Sequence, residues 1–348
     1  MTKNTNTFCK NMGLLAGSIA ISVLIVEIVL RIVLPTPIVW KYPQEQYIYD
    51  PEIGFWLRPN QHAFTHDKPV IINSVGIRDS EYPPRAPSGV YRILALGDSQ
   101  TFGNGLKLED TWPKQLESEL NQSNLNLRFE VVNSGLPGSD TWQHEIMLER
   151  MIKNYHPDSV VLAFYVNDVV KRHIPKPSWH KSNNEKRIRI IYALKQSALL
   201  LSLRQAYYTI RQAVAPTAAF LGQQALLSGK DNENIQSRWR QVDKSISSMK
   251  GMADRYNIRF MIASLPRRDQ VDGRLSWHAY NKHLQRITER YGVPMLSMLE
   301  PLQRGYKKYG KKLFIPWDGH NSEIANHIIA QQISKTMLIA LGLEKKTE

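Results

Sequence analysis

The stretch Arg92-Ile-Leu-Ala-Leu-Gly-Asp-Ser-Gln-Thr-Phe-Gly103 joins a short apolar run to a polar, glycine-rich turn. The apolar run is typical of a buried strand, and a helix-compatible segment follows the turn. Ser99 therefore lies where a strand of a predicted sheet gives way to a helix. In open α/β folds ligands bind at this carboxyl edge of the sheet, and the free N–H groups of a helix N-terminus favour negative charge. A serine before a helix is more often only a cap, so the rest of the chain must decide.

From Tyr91 onward, predicted strands and helices alternate, which is typical of βαβ units and predicts a parallel sheet. The predicted strands are Arg92–Leu96, Phe129–Asn133, Ser159–Tyr165, Arg259–Ala263 and Pro294–Ser297. The predicted helices lie near Thr111–Leu120, Trp142–Tyr155, Ser237–Arg255, Ser276–Tyr291 and Ser322–Leu341. The sequence therefore predicts one α/β domain with a parallel five-stranded sheet over residues 91–345.

Two segments depart from this alternation. Residues 35–90 are rich in proline and aromatic residues and predict an irregular arm with a turn at Asn73–Arg78. Residues 170–236 predict a helical insertion whose first part is basic and loop-like. In its second part, apolar residues recur at helical spacing: Leu194, Leu199, Leu200, Leu203, Tyr207 and Ile210. Two interpretations of these helices stay open, a hairpin packed on the core and a lid or membrane-facing flap, since basic amphipathic helices suit anionic bilayers.

The amino-terminal part contains one strongly apolar segment, residues 13–34. Its length of about 22 residues, at about 1.5 Å each, is enough to cross a hydrocarbon core of about 30 Å. Glu27 and Arg31 interrupt it at i,i+4 spacing, where they can pair on one helix face. The residues that follow are bulky and proline-rich and contain no small-x-small cleavage site. We interpret the segment as an uncleaved transmembrane anchor rather than a removed signal peptide.

The charge on either side of this anchor predicts its orientation. Lys3 and Lys10 precede it with no acidic residue between them. By the positive-inside rule, residues 1–12 form a cytoplasmic tail. The sequence therefore predicts a single-pass protein of the inner membrane whose catalytic domain is periplasmic.

The composition excludes several kinds of site and partner. The 348 residues include 42% hydrophobic and 22% charged residues, which is ordinary for a globular protein. Cys9 is the only cysteine, so an intrachain disulfide, a cysteine-based metal site and thiol catalysis in the main body are excluded. The net charge of +14 suggests nucleic acid first, but the chain contains no recognisable nucleic-acid module. We expect no nucleic-acid partner, since anionic lipid headgroups or acidic glycans suit an exported basic surface better.

Residues that suit acyl transfer follow the predicted strands. A serine nucleophile needs a base, a group that orients the base, and donors for an oxyanion. Gly138 and Asn167 follow the second and third strands, and Asp318 and His320 come just before the last helix. Each has an ordinary explanation as a turn, cap or unassigned histidine, but all of them lie after strands in the order that this chemistry requires.

A metal site is a weak alternative for the same loop. His327 follows His320 by seven residues, so the two histidines and Asp318 supply three potential ligands. Their spacing matches no strong zinc motif. We expect neither a metal nor a cofactor.

Four blocks, Gly97-Asp-Ser99, Gly138, Asn167 and Asp318…His320, together resemble the SGNH hydrolases, also called GDSL esterases/lipases, in a membrane-anchored bacterial form. The resemblance covers roughly Tyr91 to the end of the chain. It implies a flavodoxin-like three-layer α/β/α sandwich and serine-dependent ester hydrolysis through an acyl-enzyme.

The resemblance also implies a role for each residue of the four blocks. Ser99 would be the nucleophile, His320 the general base and Asp318 the residue that orients His320. The backbone N–H groups of Ser99 and Gly138 and the side-chain amide of Asn167 would form the oxyanion hole. The neighbouring Asp98 would mainly stabilise the turn.

Three positions depart from the family pattern. Gln100 stands where leucine is usual, and Tyr165 stands where glycine is frequent. One residue separates Asp318 from His320, whereas two are more common. The shorter spacing leaves the orienting group open between Asp318, another acid and a backbone carbonyl.

The expected function is hydrolysis of an acyl or acetyl ester outside the cytoplasmic membrane. The ester-bearing substrate would be an acylated glycan or a lipid. The alternatives are an O-acyltransferase or O-acetyltransferase that modifies an envelope polysaccharide, since it would use the same residues, and an idle binding or assembly protein. The sequence does not indicate an oligomeric state.

Overall fold

The structure of the protein is a computed structural model, which describes residues 2–123, 126–169, 185–229, 232–275 and 278–343. The chain begins with helix α1, Thr2–Val33, so one helix runs through both the expected tail and the expected anchor. Its residues 7–33 are long and apolar enough to cross a membrane, and a signal sequence near the amino terminus meets the same test. The predicted ion pair is present, since Arg31 Nε lies 2.6 Å from Glu27 Oε1.

The segment after α1 contains two antiparallel hairpins. Their strands are β1 (Tyr47–Asp50) with β2 (Gly54–Leu57), and β3 (Gln61–Thr65) with β4 (Lys68–Ile72). The prediction of an irregular arm over residues 35–90 is therefore wrong for residues 47–72. The physical reason is burial, because side chains such as Leu57 and Ile72 pack into the main core. The turn at Asn73–Arg78 is confirmed, since Gly76 N donates to Asn73 O.

A parallel sheet of five strands forms the centre of the domain, as predicted. The strands are β5 (Val90–Gly97), β6 (Arg128–Gly135), β7 (Ser159–Phe164), β8 (Arg259–Ser264) and β9 (Met295–Ser297), in the order β6-β5-β7-β8-β9. This is the flavodoxin-like order, in which the strand sequence reverses between the first and third strands. Gly97 pairs with Gly135 on one side and with Ala163 on the other, so β5, β6 and β7 end at the same level.

Helices cover both faces of the sheet and confirm the three-layer α/β/α architecture. The helices that follow β5 along the chain are α2 (Ser99–Phe102), α3 (Trp112–Asn121), α4 (Thr141–Tyr155), α5 (Glu185–Leu194), α6 (Ala198–Val214), α7 (Ala218–Ser228), α8 (Glu233–Arg255), α9 (Arg268–Val271), α10 (His278–Arg290), α11 (Leu299–Tyr309) and α12 (Glu323–Ala340). Successive strand residues point to opposite faces. Leu94 and Leu96 accordingly join the core beneath α4, α8 and α10, while Ile93 and Ala95 join the core beneath α3, α11 and α12.

The described part of the predicted insertion over 170–236 contains α5, α6, α7 and the first residues of α8. The basic stretch at its start, residues 170–184, lies outside the described residues. Helix α7 packs on the core through Leu226 and Leu227, which are buried. The hairpin interpretation is wrong for α6, because the apolar row that includes Leu203, Ile210 and Val214 is exposed and does not pack on the core. Its neighbour is α1 rather than the core.

Candidate active site

Ser99 is the first residue of α2, directly after the central strand β5. The buried carboxylate of Asp98 caps this short helix, because its Oδ1 accepts a hydrogen bond of 2.8 Å from Gln100 N. Helix α2 lies against the end of β6, where a Cβ on Gly135 would approach Phe102 N to 2.0 Å. Only glycine fits at that position, so the turn holds Ser99 at the carboxyl edge of the sheet.

A buried arginine fixes the loop that follows Ser99. Arg78 is 1% exposed, and its guanidinium donates to the carbonyl oxygens of Phe102, Gly103 and Leu106 at 2.8, 2.8 and 2.6 Å. Burial lowers its pKa to about 10, which still leaves the group charged at neutral pH. The sequence predicts only a turn at Arg78, because the contacts of its side chain depend on the packing of a distant segment.

A tight loop before α12 brings His320 to Ser99. Ile315 N donates to His320 O at 2.8 Å, and Gly319 N donates to Ile315 O at 3.0 Å. Gly319 has a φ of +90°, a conformation that favours glycine. The loop places His320 Nε2 2.9 Å from Ser99 Oγ, although the two residues are 221 positions apart. This distance allows a proton to pass between the hydroxyl and the imidazole.

The carboxylate of Asp318 contacts the other ring nitrogen, His320 Nδ1. Asp318 thus reaches the His320 ring although only one residue separates them. Its Oδ1 also accepts a hydrogen bond of 3.1 Å from the backbone N–H of His320. Burial alone would raise the pKa of Asp318. Hydrogen bonds and charge from His320 and His66 outweigh burial and hold the pKa well below its usual range.

His66 is a member of this cluster that the sequence did not reveal. It follows β3, and its Nε2 lies 3.0 Å from Asp318 Oδ2, with only 5% of the side chain exposed. The backbone N–H of His66 donates to Gln44 Oε1 at 3.0 Å, and the ring of Trp40 packs edge-on at 4.6 Å. Asp318 therefore lies between two imidazoles. No local pattern marks His66, because its partner belongs to a loop at the other end of the chain.

Gln100 connects the serine turn to the histidine loop. Its side chain is buried, and its Oε1 accepts a hydrogen bond of 3.2 Å from Asn321 N. A leucine at this position could not accept that bond. The departure from the family pattern thus coincides with a polar contact between Ser99's helix and the residue after His320.

The two other expected oxyanion groups lie at the same edge of the sheet. Asn167 follows β7, is 2% exposed and donates through Nδ2 to Asp98 Oδ2 at 2.5 Å. Gly138 lies in the loop between β6 and α4 with a φ of +88°. The hydrogen bond between Asn167 and Asp98 joins the exits of β5 and β7, which is the point where the strand order reverses.

His327, the third residue weighed for a metal site, contacts α3 rather than Asp318 and His320. Nδ1 of His327 lies 3.0 Å from Gln115 Oε1 on α3, and the His327 side chain is about half exposed. Among residues that the structure describes, no group of three or more His, Cys, Asp or Glu is arranged to hold a metal ion.

The comparisons with known proteins agree with this arrangement at the level of the family. Residues 95–314, more than half of the chain, match the GDSL-like lipase/acylhydrolase family, and the match ends before Asp318. A stretch of 113 residues is 26% identical to an arylesterase of Vibrio mimicus and covers 32% of this chain. It spans 54%, about half, of that relative's length.

Two solved structures have similar topology. A psychrotrophic esterase from Pseudoalteromonas sp. is 13% identical, with a TM-score of 0.43, over 72% of this chain and 98% of that one. A lipase/acylhydrolase from Enterococcus faecalis is 14% identical, with a TM-score of 0.42, over 74% of this chain and 100% of that one. At these scores neither likeness bears on function.

Proposed function

Because this chain belongs to the GDSL-like lipase/acylhydrolase family, we propose that it is a serine-dependent ester hydrolase that works through an acyl-enzyme. The observation that carries the proposal is the distance of 2.9 Å between His320 Nε2 and Ser99 Oγ. The carboxylate of Asp318 on the opposite ring nitrogen adds to it, because it orients the imidazole and stabilises the imidazolium.

The proposed reaction has two halves. His320 takes the proton of Ser99, and Ser99 Oγ attacks the ester carbonyl to form a tetrahedral intermediate. The intermediate collapses, the C–O bond to the alcohol breaks, and the alcohol leaves with the proton from His320. In the second half His320 takes a proton from water, the hydroxide attacks the acyl-enzyme, and Ser99 recovers its proton as the acid leaves.

The oxyanion of both intermediates needs hydrogen-bond donors. We assign this role to the backbone N–H groups of Ser99 and Gly138 and to the side-chain amide of Asn167. One N–H of that amide already points to Asp98, which fixes the amide plane and leaves the second N–H for the oxyanion. Such donors lower the barrier most when they are held in place before the reaction, as the burial of Asn167 favours.

We further propose that α1 anchors the protein in the inner membrane and that the body is periplasmic. The length and hydropathy of residues 7–33 support the anchor, and Lys3 and Lys10 support the orientation. The proposed substrate is an ester borne by an acylated glycan or a lipid, which suits the net charge of +14.

A stopped-flow assay of the full chain in detergent with p-nitrophenyl acetate tests the hydrolase proposal. If deacylation is slower than acylation, an acyl-enzyme gives a burst of p-nitrophenol that matches the enzyme concentration and precedes steady turnover. If acylation is the slower step, no burst appears, and the acetylated protein is instead trapped by acid quench and detected by its mass. Absence of both turnover and acetylated protein would contradict the proposal.

His66 is expected to act as a positioning residue through Asp318. Replacing His66 with alanine removes a hydrogen bond to a charged acceptor, so kcat for p-nitrophenyl acetate should fall about tenfold or more with little change in KM. His66→Gln keeps an N–H at a similar reach and should recover most of kcat. An equal loss in both variants, or a change confined to KM or thermal stability, would contradict this role.

Gln100 is expected to align the turn that holds Ser99 with the loop that holds His320. Gln100→Leu leaves the buried N–H of Asn321 without its acceptor, at a cost of about 1–3 kcal/mol. We expect a lower melting temperature and a kcat reduced about three- to tenfold as His320 loses its alignment. Gln122→Leu, which makes the same change at an exposed position of the chain, is the matched control and should leave kcat unchanged. A Gln100→Leu variant with unchanged kcat and stability would exclude the role.

A further inference from the structure

Helix α6 carries a continuous apolar stripe that faces away from the protein. Its large apolar side chains recur every three or four residues along one face and are between 41% and 80% exposed: Leu200, Leu203, Tyr207, Ile210 and Val214. Five exposed side chains in one row are unusual on a soluble helix, which normally turns such a row toward the core. The opposite face of α6 is polar and includes Gln205 and Thr209.

The start of α6 is fastened to α1. The carboxylate of Glu27 accepts from the backbone N–H groups of Ala198 and Leu199 at 3.0 and 2.9 Å, and from Ser197 Oγ at 2.8 Å. Arg31 Nη2 donates to the carbonyl oxygen of the preceding residue, Gln196, at 2.6 Å. Glu27 lies about 9 Å before the end of α1, at about 1.5 Å per residue. Helix α6 therefore begins beside the charged end of the proposed anchor.

The charges around the stripe favour an anionic membrane leaflet over a second copy of the chain as its partner. Residues 185–214 contain six basic residues and one acidic residue. Arg204 lies one residue after Leu203, and Arg211 lies four residues after Tyr207, so the two arginines flank the stripe. A second copy of this chain would bring arginines against arginines across a two-fold seam. A leaflet with anionic headgroups accepts both the apolar row and the arginines, whose stems snorkel toward the phosphates.

We propose that the exposed stripe of α6 lies in the interfacial layer of the membrane that α1 spans, with anionic phospholipid as its partner. The active-site loop is near the same surface, because Trp317 Nε1 donates to the carbonyl oxygen of Pro35 at 3.0 Å, two residues after α1 ends. The docked α6 and this contact hold Ser99 close to the leaflet. Esters presented by the bilayer are therefore within reach of the site.

Depth-dependent fluorescence quenching of the full chain tests this docking. Cys9 is replaced by serine, and an environment-sensitive fluorophore is attached at Leu203→Cys or, as the matched control on the polar face, at Gln205→Cys. Both proteins are reconstituted in vesicles of phosphatidylglycerol and phosphatidylcholine that contain doxyl-labelled lipid. We expect the label at 203 to be blue-shifted and quenched about threefold or more over the label at 205.

Equal quenching at the two positions, whether strong or weak, would overturn the proposal. If the unlabelled Leu203→Cys variant forms disulfide cross-links between copies and the label at 203 is not quenched by lipid, the partner of the stripe is a second copy of the chain and not the leaflet. The result does not depend on the hydrolase proposal, because the labels report depth without turnover. If the wild type fails to hydrolyse p-nitrophenyl acetate, the hydrolase proposal is contradicted and the docking proposal is unaffected.

Introducing negative charge on the stripe gives a second readout. Leu203→Glu combined with Tyr207→Glu should leave hydrolysis of dissolved p-nitrophenyl acetate unchanged and lower hydrolysis of p-nitrophenyl palmitate in the same vesicles about tenfold. Gln205→Glu should change neither rate. Hydrolysis of p-nitrophenyl palmitate in vesicles at the wild-type rate by the double variant would also overturn the docking proposal.

Discussion

Replacing Ser99 with alanine should abolish ester hydrolysis, with kcat for p-nitrophenyl acetate reduced on the order of 10⁴–10⁶-fold. The substitution removes the only atom proposed to form the acyl bond, and His320 Nε2 loses the hydroxyl that lies 2.9 Å away. Initial rates under saturating substrate measure the effect. The fold should be unchanged, because the Ser99 side chain is only half-buried and Asp98 still caps α2.

Ser118→Ala is the matched control for this change. Ser118 is exposed on α3, and its side chain accepts one hydrogen bond, from Gln122. Its activity should equal that of the wild type. A Ser99→Ala variant that hydrolyses the substrate at the wild-type rate would exclude Ser99 as the nucleophile. The contacts of Ser99, His320 and Asp318 would then have only a structural role.

Replacing Asp318 with asparagine should reduce kcat on the order of 10²–10⁴-fold while KM changes little. An asparagine amide that donates to Nδ1 of His320 leaves the ring proton on Nε2, where it faces Ser99. The imidazole then cannot accept the serine proton. The second imidazole, His66, has no ionised partner in this variant, so both rings lose the charge that Asp318 supplies.

Asp254→Asn serves as the control, because Asp254 forms an exposed ion pair with Lys250 on α8. Its kcat should be that of the wild type. Near-normal kcat in Asp318→Asn would show that another group orients His320, an alternative that the short spacing to His320 left open at the level of sequence.

The central sheet was predictable because its strands are continuous apolar runs. Buried parallel strands need no alternation, and runs such as Val160–Phe164 stand out between polar loops. The predicted strand ends lie within two residues of the observed ones. The proximity of Ser99 and His320 could also be expected, because a serine nucleophile needs a base within hydrogen-bond reach.

Other features depend on contacts that no local pattern encodes. The hairpins within residues 47–72 have strands of four or five residues, too short for a clear period, and are stabilised by packing on the main core. His66 is one of ten histidines, and only the three-dimensional path of the chain brings it to Asp318. The reach of Asp318 depended on the left-handed turn at Gly319, which spacing alone does not reveal.

Covalent labelling with a serine-reactive phosphonate identifies directly which residue is the nucleophile. The full chain is incubated with a p-nitrophenyl alkylphosphonate, digested and analysed by mass spectrometry. We expect one adduct, on Ser99 Oγ, formed with the stoichiometric release of p-nitrophenol and absent from the Ser99→Ala variant. An unmodified Ser99 in a protein that hydrolyses p-nitrophenyl acetate, or an adduct on another residue, would contradict this expectation.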